Sequence, residues 1–159
     1  IELYLKLTAE VNNNPKIPKK KKCKLTKRYN TKISNLVDEL HWKTIDYLTK
    51  YSKHILIGDF RVKGVVSKNG KLRAMTKRIA LKMKFCQFKQ RLKYKCGLKM
   101  IHYNEIPEYY TSKVCSHCAH LKDDLGGNRE YICTNCGVKM DRDVNGARGI
   151  YIWAKTILG

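Results

Sequence analysis

Four cysteines constrain this chain more than anything else in it. They fall in the pattern Cys115-x2-Cys118-x14-Cys133-x2-Cys136. Two cysteines three positions apart can grip one ion from a tight turn, and two such turns complete a tetrahedral four-sulfur site. Thiolates are soft donors, and a closed four-sulfur shell leaves no position for a reactive water. The spacing therefore predicts a structural zinc ribbon over residues 115–136. A redox dithiol is the rival, but one Cys-x-x-Cys would serve for that. His117 and His120 lie close enough to compete as ligands; four cysteines already satisfy the ion, so both read as bystanders. Between the pairs, Gly126-Gly127 is expected to make a hairpin turn and Glu130-Tyr131-Ile132 a return strand.

The other three cysteines, Cys23, Cys86 and Cys96, are scattered, and the total of seven is odd. This is the pattern of an intracellular metal protein with free thiols, not of a disulfide scaffold. No signal-peptide pattern or long apolar run is present. The chain begins at Ile1 rather than Met, so a fragment or a processed chain is expected.

Charge narrows the partner. Lys and Arg number 34 against 13 Asp and Glu, a net +21 over 159 residues. Nucleic acid is the default partner for such an excess, because basic side chains that neutralise phosphates release condensed counterions. The basic residues cluster in two places. Lys19, Lys20, Lys21 and Lys22 form a run, which suits a nucleic-acid patch, a nuclear import signal or a solvated loop. Arg73, Lys77, Arg78 and Lys82 belong to a basic helix expected over 73–95, with one face packing and the other meeting phosphate.

Residues 1–8 alternate apolar and polar, predicting a strand, although their Leu and Lys also suit a helix. Asn12–Asn14, Pro15 and Pro18 read as a loop. A helix is expected over 28–52, with Tyr29, Ile33, Leu36, Val37, Leu40, Ile45 and Leu48 as its apolar stripe and His41 and Trp42 as packing residues. His54–Phe60 reads as a buried strand and 61–72 as a loop. Gly97 should end the basic helix, 98–106 should form a strand stopped by Pro107, and 143–158 a last helix with Ala147, Ile150, Ile152, Trp153 and Ile157 on its apolar side.

Acids are scarce, so each is informative. Asp59 ends the first strand, Glu105 and Glu108 flank Pro107, and Asp143 opens the last helix. Singly, each has an ordinary explanation: a turn residue, surface acids, a charge complementing the helix dipole. Together, acids at strand ends and a helix start in a polyanion-binding chain suggest Mg²⁺ sites of a two-metal nuclease, since hard divalent ions prefer oxygen.

Three strings, Tyr110-Thr111-Ser112-Lys113-Val114-Cys115-Ser116-His117-Cys118, Cys133-x2-Cys136-Gly137 and Asp141-Arg142-Asp143-Val144-Asn145-Gly146-Ala147-Arg148, resemble the C-terminal part of the TnpB family. These are transposon-encoded, RNA-guided DNA endonucleases; their eukaryotic and giant-virus branch is called Fanzor. The resemblance is specific over 108–150 and looser from residue 28. It implies an α/β, RNase H-like (RuvC) nuclease domain with a mixed sheet and flanking helices, incomplete at its N-terminus and interrupted by the zinc ribbon. The implied division is a strand plus basic loop at 1–27, part of the RuvC-like domain at 28–110, the ribbon insert at 111–140 and the final RuvC-like helix at 141–159.

The resemblance also implies guide RNA and target DNA as partners, no membrane, an N-terminal remainder of the same protein, and Mg²⁺ held by three acids. The third acid falls on Asp143. In TnpB the second is a Glu at the end of the central strand; here that position is Gly58, followed by Asp59. Fanzor proteins are similar in lacking that Glu and using one about fifty residues later. Glu108 fits that place best, with Glu105 and then Asp59 in reserve. Asp38 and Asp46 lie in a helix and do not suit the first acid, which is expected upstream. The location implied is intracellular: a nucleus or a virus-infected host cell. Two rivals remain: a guided binder of the same ancestry that has lost cleavage, which Gly58 motivates, and a structural zinc-ribbon RNA-binding protein.

Overall fold

The computed structural model describes residues 1–59, 66, 72–107, 111, 113–124 and 128–158. Its chain divides into two units. The helical unit comprises residues 1–53 and 61–101; the ribbon unit comprises 54–60 and 102–159. No helix among the described residues is long and apolar enough to cross a membrane.

The helical unit holds α1 (Glu2–Asn13), α2 (Lys19–Tyr51), α3 (Ala74–Lys82) and α4 (Phe85–Leu98). Residues 2–8 are thus helical, contrary to the strand expected over 1–8 from their alternation. Leu, Lys and Glu are good helix formers, and a strand would have put Leu3 and Leu5 on one buried face. Instead Leu5 is buried and Leu3 is 65% exposed. Leu5 joins Ile33 and Val37 of α2 in a cluster completed by Met75, Ile79 and Met83, and Tyr4 stacks on Tyr29 with ring centroids 6.0 Å apart.

α2 begins earlier than the apolar pattern suggested and takes in the Lys19–Lys22 run, so that run is helical, not a loop. Its buried row is Ile33, Val37, His41, Ile45 and Thr49, while Leu36 and Leu40 are exposed. Positions four apart lie on one helix face, so this spacing describes the packed side better than the expected stripe. His41 packs as anticipated. Trp42 does not: it is 44% exposed, with the Arg91 guanidinium 5.4 Å from its ring centroid.

The single helix expected over 73–95 is two helices, broken at Met83-Lys84. Lys84 sits at φ 49, a left-handed conformation that stops one helix and starts the next. No Gly or Pro announces the break; tertiary partners hold it. The Met83 carbonyl oxygen lies 2.9 Å from His41 Nε2, and Lys84 Nζ donates to Ser34 Oγ at 2.8 Å. Gly97 lies within the last turn of α4, one position before its end at Leu98.

His41 has a fixed protonation pattern. Nε2–H donates to Met83, so Nδ1 accepts from Arg91 at 3.2 Å. Arg91 also pairs with Asp38 at 2.7 Å, and that bond holds the Asp38 carboxyl below the usual carboxylate range. Burial, reinforced by the Arg91 and Lys84 cations, pushes His41 below the ordinary histidine range. A histidine depressed in the folded state takes up its proton first in the unfolded state, so stability falls as pH drops below about 6.5. Thermal melts should show wild type losing more stability between pH 7 and 5.5 than His41→Gln; equal losses would remove His41 from the account.

In the ribbon unit, β1 (His54–Gly58) pairs in parallel with β2 (His102–Ile106), with Ile57 opposite Glu105 and Gly58 opposite Ile106. β3 (Glu130–Ile132) pairs antiparallel with β4 (Lys139–Asp141), and α5 (Arg142–Leu158) follows directly. The fold is mixed α/β with short sheets: among the described residues each sheet has two strands, and the wider RNase H-type sheet is not seen. β2 is shorter than the strand expected over 98–106, because α4 runs to Leu98. The expected turn at Gly126-Gly127 and, apart from residues 66 and 72, the loop expected over 61–72 lie outside the described residues.

A candidate metal centre beside the start of the last helix

Two turns of matching backbone build the four-cysteine site. In the first, the Cys115 amide donates to the His120 carbonyl and Ala119 donates back to Cys115, both at 2.9 Å. In the second, Cys133 donates to Val138 at 3.0 Å and Gly137 donates back to Cys133 at 3.1 Å. The residue after each second cysteine turns left-handed: Ala119 at φ 59 and Gly137 at φ 71. This conformation costs a side-chain-bearing residue about 1–2 kcal/mol and glycine almost nothing. A Cβ on Gly137 would meet no atom within 4 Å, so its cost would be backbone strain alone. Ala119→Gly should therefore stabilise the metal-loaded ribbon by about 1 kcal/mol and Gly137→Ala weaken it by a similar amount. Melting temperatures that move together, rather than in opposite directions, would contradict the matched-turn reading.

The four sulfurs all lie within 4.8 Å of one another. Cys115 Sγ is 3.8 Å from Cys136 Sγ, and Cys118 Sγ is 3.6 Å from Cys133 Sγ. Disulfides would require about 2.05 Å. A tetrahedron of thiolates at the zinc–sulfur distance of about 2.3 Å has edges of about 3.8 Å, so the observed spacing fits such an ion. Among the described residues this is the one group of three or more His, Cys, Asp or Glu side chains placed to share a metal. His117 and His120 are not members.

The thiols are electrostatically uneven. The His120 amide, with the Asn135 side chain, draws Cys118 down to about 6. The Cys136 and Asn135 amides lower Cys133. Cys136 receives the Val138 amide, yet burial and competition for protons with the other three sulfurs push it up to about 12. Four adjacent thiolates cannot all ionise without a cation. The cluster can hold a metal ion such as zinc, and its charge state favours one. Beneath it Tyr131 is buried at 2% exposure; burial, and then the neighbouring sulfurs, raise its phenol above the ordinary range. Tyr131, Cys115 and Cys133 form the ribbon's small core, with Val138 and Met140 packed around it.

The ribbon runs straight into α5. Asp141 ends β4 and caps the helix: its Oδ1 accepts the Asp143 amide at 2.8 Å and the Val144 amide at 3.4 Å. Those bonds hold its carboxyl below the usual range, and Arg129 Nε donates to its other oxygen at 3.2 Å. Asp143, the second residue of α5, is exposed, and its carboxylate has no partner among the described residues. Within one three-residue run, one aspartate is spent on the helix end and the other is left to face solvent. Asn145, whose role the sequence did not reveal, is fully buried. Its Oδ1 accepts the Ser116 amide at 3.0 Å and its Nδ2 donates to the Val114 carbonyl at 2.9 Å. The buried side of α5 is Asn145 and Ala154, not the expected apolar row; Ile152, Trp153 and Ile157 are each about half exposed.

The other candidate acids are placed in part. The Asp59 amide donates to the Ile106 carbonyl at 2.9 Å, so Asp59 and Glu105 lie at the same, C-terminal, end of the parallel pair. Glu105 also receives the Tyr103 hydroxyl at 2.9 Å. Glu108 lies outside the described residues. In the helical unit, Lys82 Nζ donates to Asn30 Oδ1 at 3.0 Å, and Arg78 lines the same shallow depression. Lys22 reaches the Asn12 carbonyl at 2.9 Å, while Lys19, Lys20, Lys21 and Arg73 are exposed; Lys77 is half-buried.

Residues 85–150 match the family model described as Cas12f1-like, TNB domain. A TnpB-like protein of Acanthamoeba polyphaga mimivirus is 34% identical over 152 residues, which is 91% of this chain and 28% of the relative. The chain belongs to the TnpB/Cas12f-type family. A Streptomyces pristinaespiralis protein with the provisional name RNA-guided DNA endonuclease is 33% identical over 115 residues, 71% of this TnpB/Cas12f-type chain and 27% of its own length. The fold agrees: Cas12f1, in the cryo-EM structure of a Cas12f1–sgRNA–target DNA complex, superposes with a TM-score of 0.65 at 16% identity, covering 94% of this chain and 40% of that one. The chain thus spans a little over a quarter of the length of the curated relatives it matches.

Proposed function

We propose that this chain is the C-terminal part of an RNA-guided, Mg²⁺-dependent DNA endonuclease of the Fanzor type. The observation that carries the reading is Asp143: an exposed carboxylate without a partner among the described residues, held at the head of a helix that the cysteine ribbon anchors. Its second acid would be Glu108, with Glu105 and Asp59 in reserve at the shared end of β1 and β2. The first would come from sequence outside these residues. Divalent ions at such a site supply water activation and stabilise the leaving oxygen. The chain's own residues hold the carboxylates in place and bind the strand.

Further chain would extend the parallel pair into an RNase H-type sheet. Two parallel strands whose outer edges have no strand partner among the described residues, and the half-exposed apolar side chains of α5, support that reading. Zinc would hold the ribbon. Guide RNA and target DNA would be the partners. Base pairing would read sequence while basic side chains hold the backbone. The first turn of α2 supports a polyanion there, because it carries lysines and no acid at the positive end of a helix, where unshielded cations are unfavourable.

The test uses the full-length protein with its native RNA. Guide-matched DNA should be cut only with Mg²⁺, and mismatched DNA should be spared. Matched binding without cleavage under any divalent ion would instead establish the guided binder, whose motivation is Gly58 at the strand end.

A further inference from the structure

Asn145 is the most deeply buried polar side chain among the described residues, at 0% exposure, and neither the cysteine spacing nor the acids account for it. A buried amide costs free energy unless both its ends are bonded. Here both are, and both partners flank one metal ligand: the carbonyl of Val114 and the amide of Ser116 stand either side of Cys115. Asn145 therefore holds the backbone of the first cysteine turn in a two-point clamp from within the first turn of α5.

Further contacts fasten the same stretch. Gly149, four residues on and so on the same helix face, passes close to Thr111: a Cβ there would come within 3.0 Å of the Thr111 carbonyl oxygen. From the other cysteine turn, β4 delivers Asp141 as the helix cap, the Arg142 amide donates to the Arg129 carbonyl at 2.8 Å, and Arg129 pairs with Asp141. At the helix start Val144 is 50% exposed, and the Asp143 amide is held by the Asp141 carboxylate.

We propose that Asn145 is a positioning residue that makes closure of the four-cysteine site and placement of the Asp143 carboxylate a single folding event. Metal capture by Cys115 and Cys118 fixes the turn that Asn145 grips, and the grip sets the first turn of α5, where Asp143 projects two residues earlier. By linkage the effect is reciprocal: loosening the helix start weakens the metal site as much as losing the metal loosens the helix start. The nuclease role of Asp143 rests on the function proposed above, but the coupling does not.

The test is made on the whole chain by amide exchange and metal competition. In wild type, removing the metal with a chelator should speed exchange of the Asp143 and Val144 amides at least about tenfold, in step with those of Cys115 and Ala119. Asn145→Ala should bind zinc about 10- to 100-fold more weakly in chelator competition, the range for residues that orient metal ligands. It should also leave the Asp143 and Val144 amides fast even when metal is loaded. Asn145→Asp sets a buried carboxylate oxygen against the Val114 carbonyl and close to the four thiolates, so its loss of affinity should be at least as large as that of Asn145→Ala.

Wild-type affinity and protection in Asn145→Ala would overturn the proposal. So would a wild-type helix start that stays protected after the cysteine turns have opened, a result that needs no variant to fold. If the proposed nuclease reading is wrong, no guide will yield cleavage, yet these exchange and affinity results will be unchanged. If that reading holds and the coupling fails, Asn145→Ala will cut DNA at the wild-type rate.

Discussion

Removing the metal from the four-cysteine site should unfold residues 113–141 while leaving α1–α4 helical. Among the described residues the ribbon's regular structure is three residue pairs between β3 and β4 and a single bridge between Val114 and Leu121. The large core side chain described there is Tyr131, whose burial is worth about 2–3 kcal/mol. Zinc capture by such a module contributes roughly 10–16 kcal/mol of apparent free energy at neutral pH. The metal therefore dominates by several-fold, and it would draw together four thiols set 3.6–3.8 Å apart in pairs. Chelation should abolish amide protection across the ribbon. Cys133→Ser, which alters a ligand buried at 2% exposure, should do the same without chelator. The helical unit keeps its own apolar cluster of Leu5, Ile33 and Val37 and contributes no ligand, so its exchange should hardly change. A ribbon still protected once metal analysis shows the ion gone would overturn the structural-metal assignment.

That site was legible in the sequence because a metal turn needs its ligands at fixed short spacing, and short spacing is what a sequence displays. β1 and the return strand β3 were legible for a similar reason, since a few apolar or β-branched residues between breakers have few alternatives. The helix at 2–13 was not, because leucines at positions 3, 5 and 7 serve either period, and only packing against Ile33 and Val37 decides between them. The break at Lys84 was invisible because its causes lie more than forty residues away, at His41 and Ser34.

Asn145 shows the same limit at the functional site. Its identity stood within a recognisable string, but its work is done on Val114 and Ser116, about thirty residues earlier in the chain. The turn after Cys118 did leave a trace. Gly137 follows Cys136 just as Ala119 follows Cys118, and a glycine after one cysteine pair signals a left-handed turn that the other must share.

Asp143→Asn should lower Mg²⁺-dependent cleavage by about 10³-fold or more in the full-length protein, while Asp141→Asn should cut at close to the wild-type rate. The two aspartates are two residues apart and chemically identical, so the contrast isolates position. Asp141 works as a helix cap, accepting the amides of Asp143 and Val144, and Asn caps a helix about as well as Asp does. Asp141→Ala, which removes the cap, should cost about 1 kcal/mol of stability. The Asp143 carboxylate accepts no such bond among the described residues and is available to a hard cation. Replacing it by a neutral amide would forfeit several kcal/mol of transition-state charge stabilisation, and each 1.36 kcal/mol is a factor of ten in rate. Guided DNA binding should survive in both variants. Run beside them, Glu108→Gln should be as inactive as Asp143→Asn; if it cuts normally and Glu105→Gln does not, the second ligand belongs at the end of β2. Equal loss in Asp141→Asn and Asp143→Asn would mean that the helix start matters only as structure, and the metal-binding role of Asp143 would have to be given up.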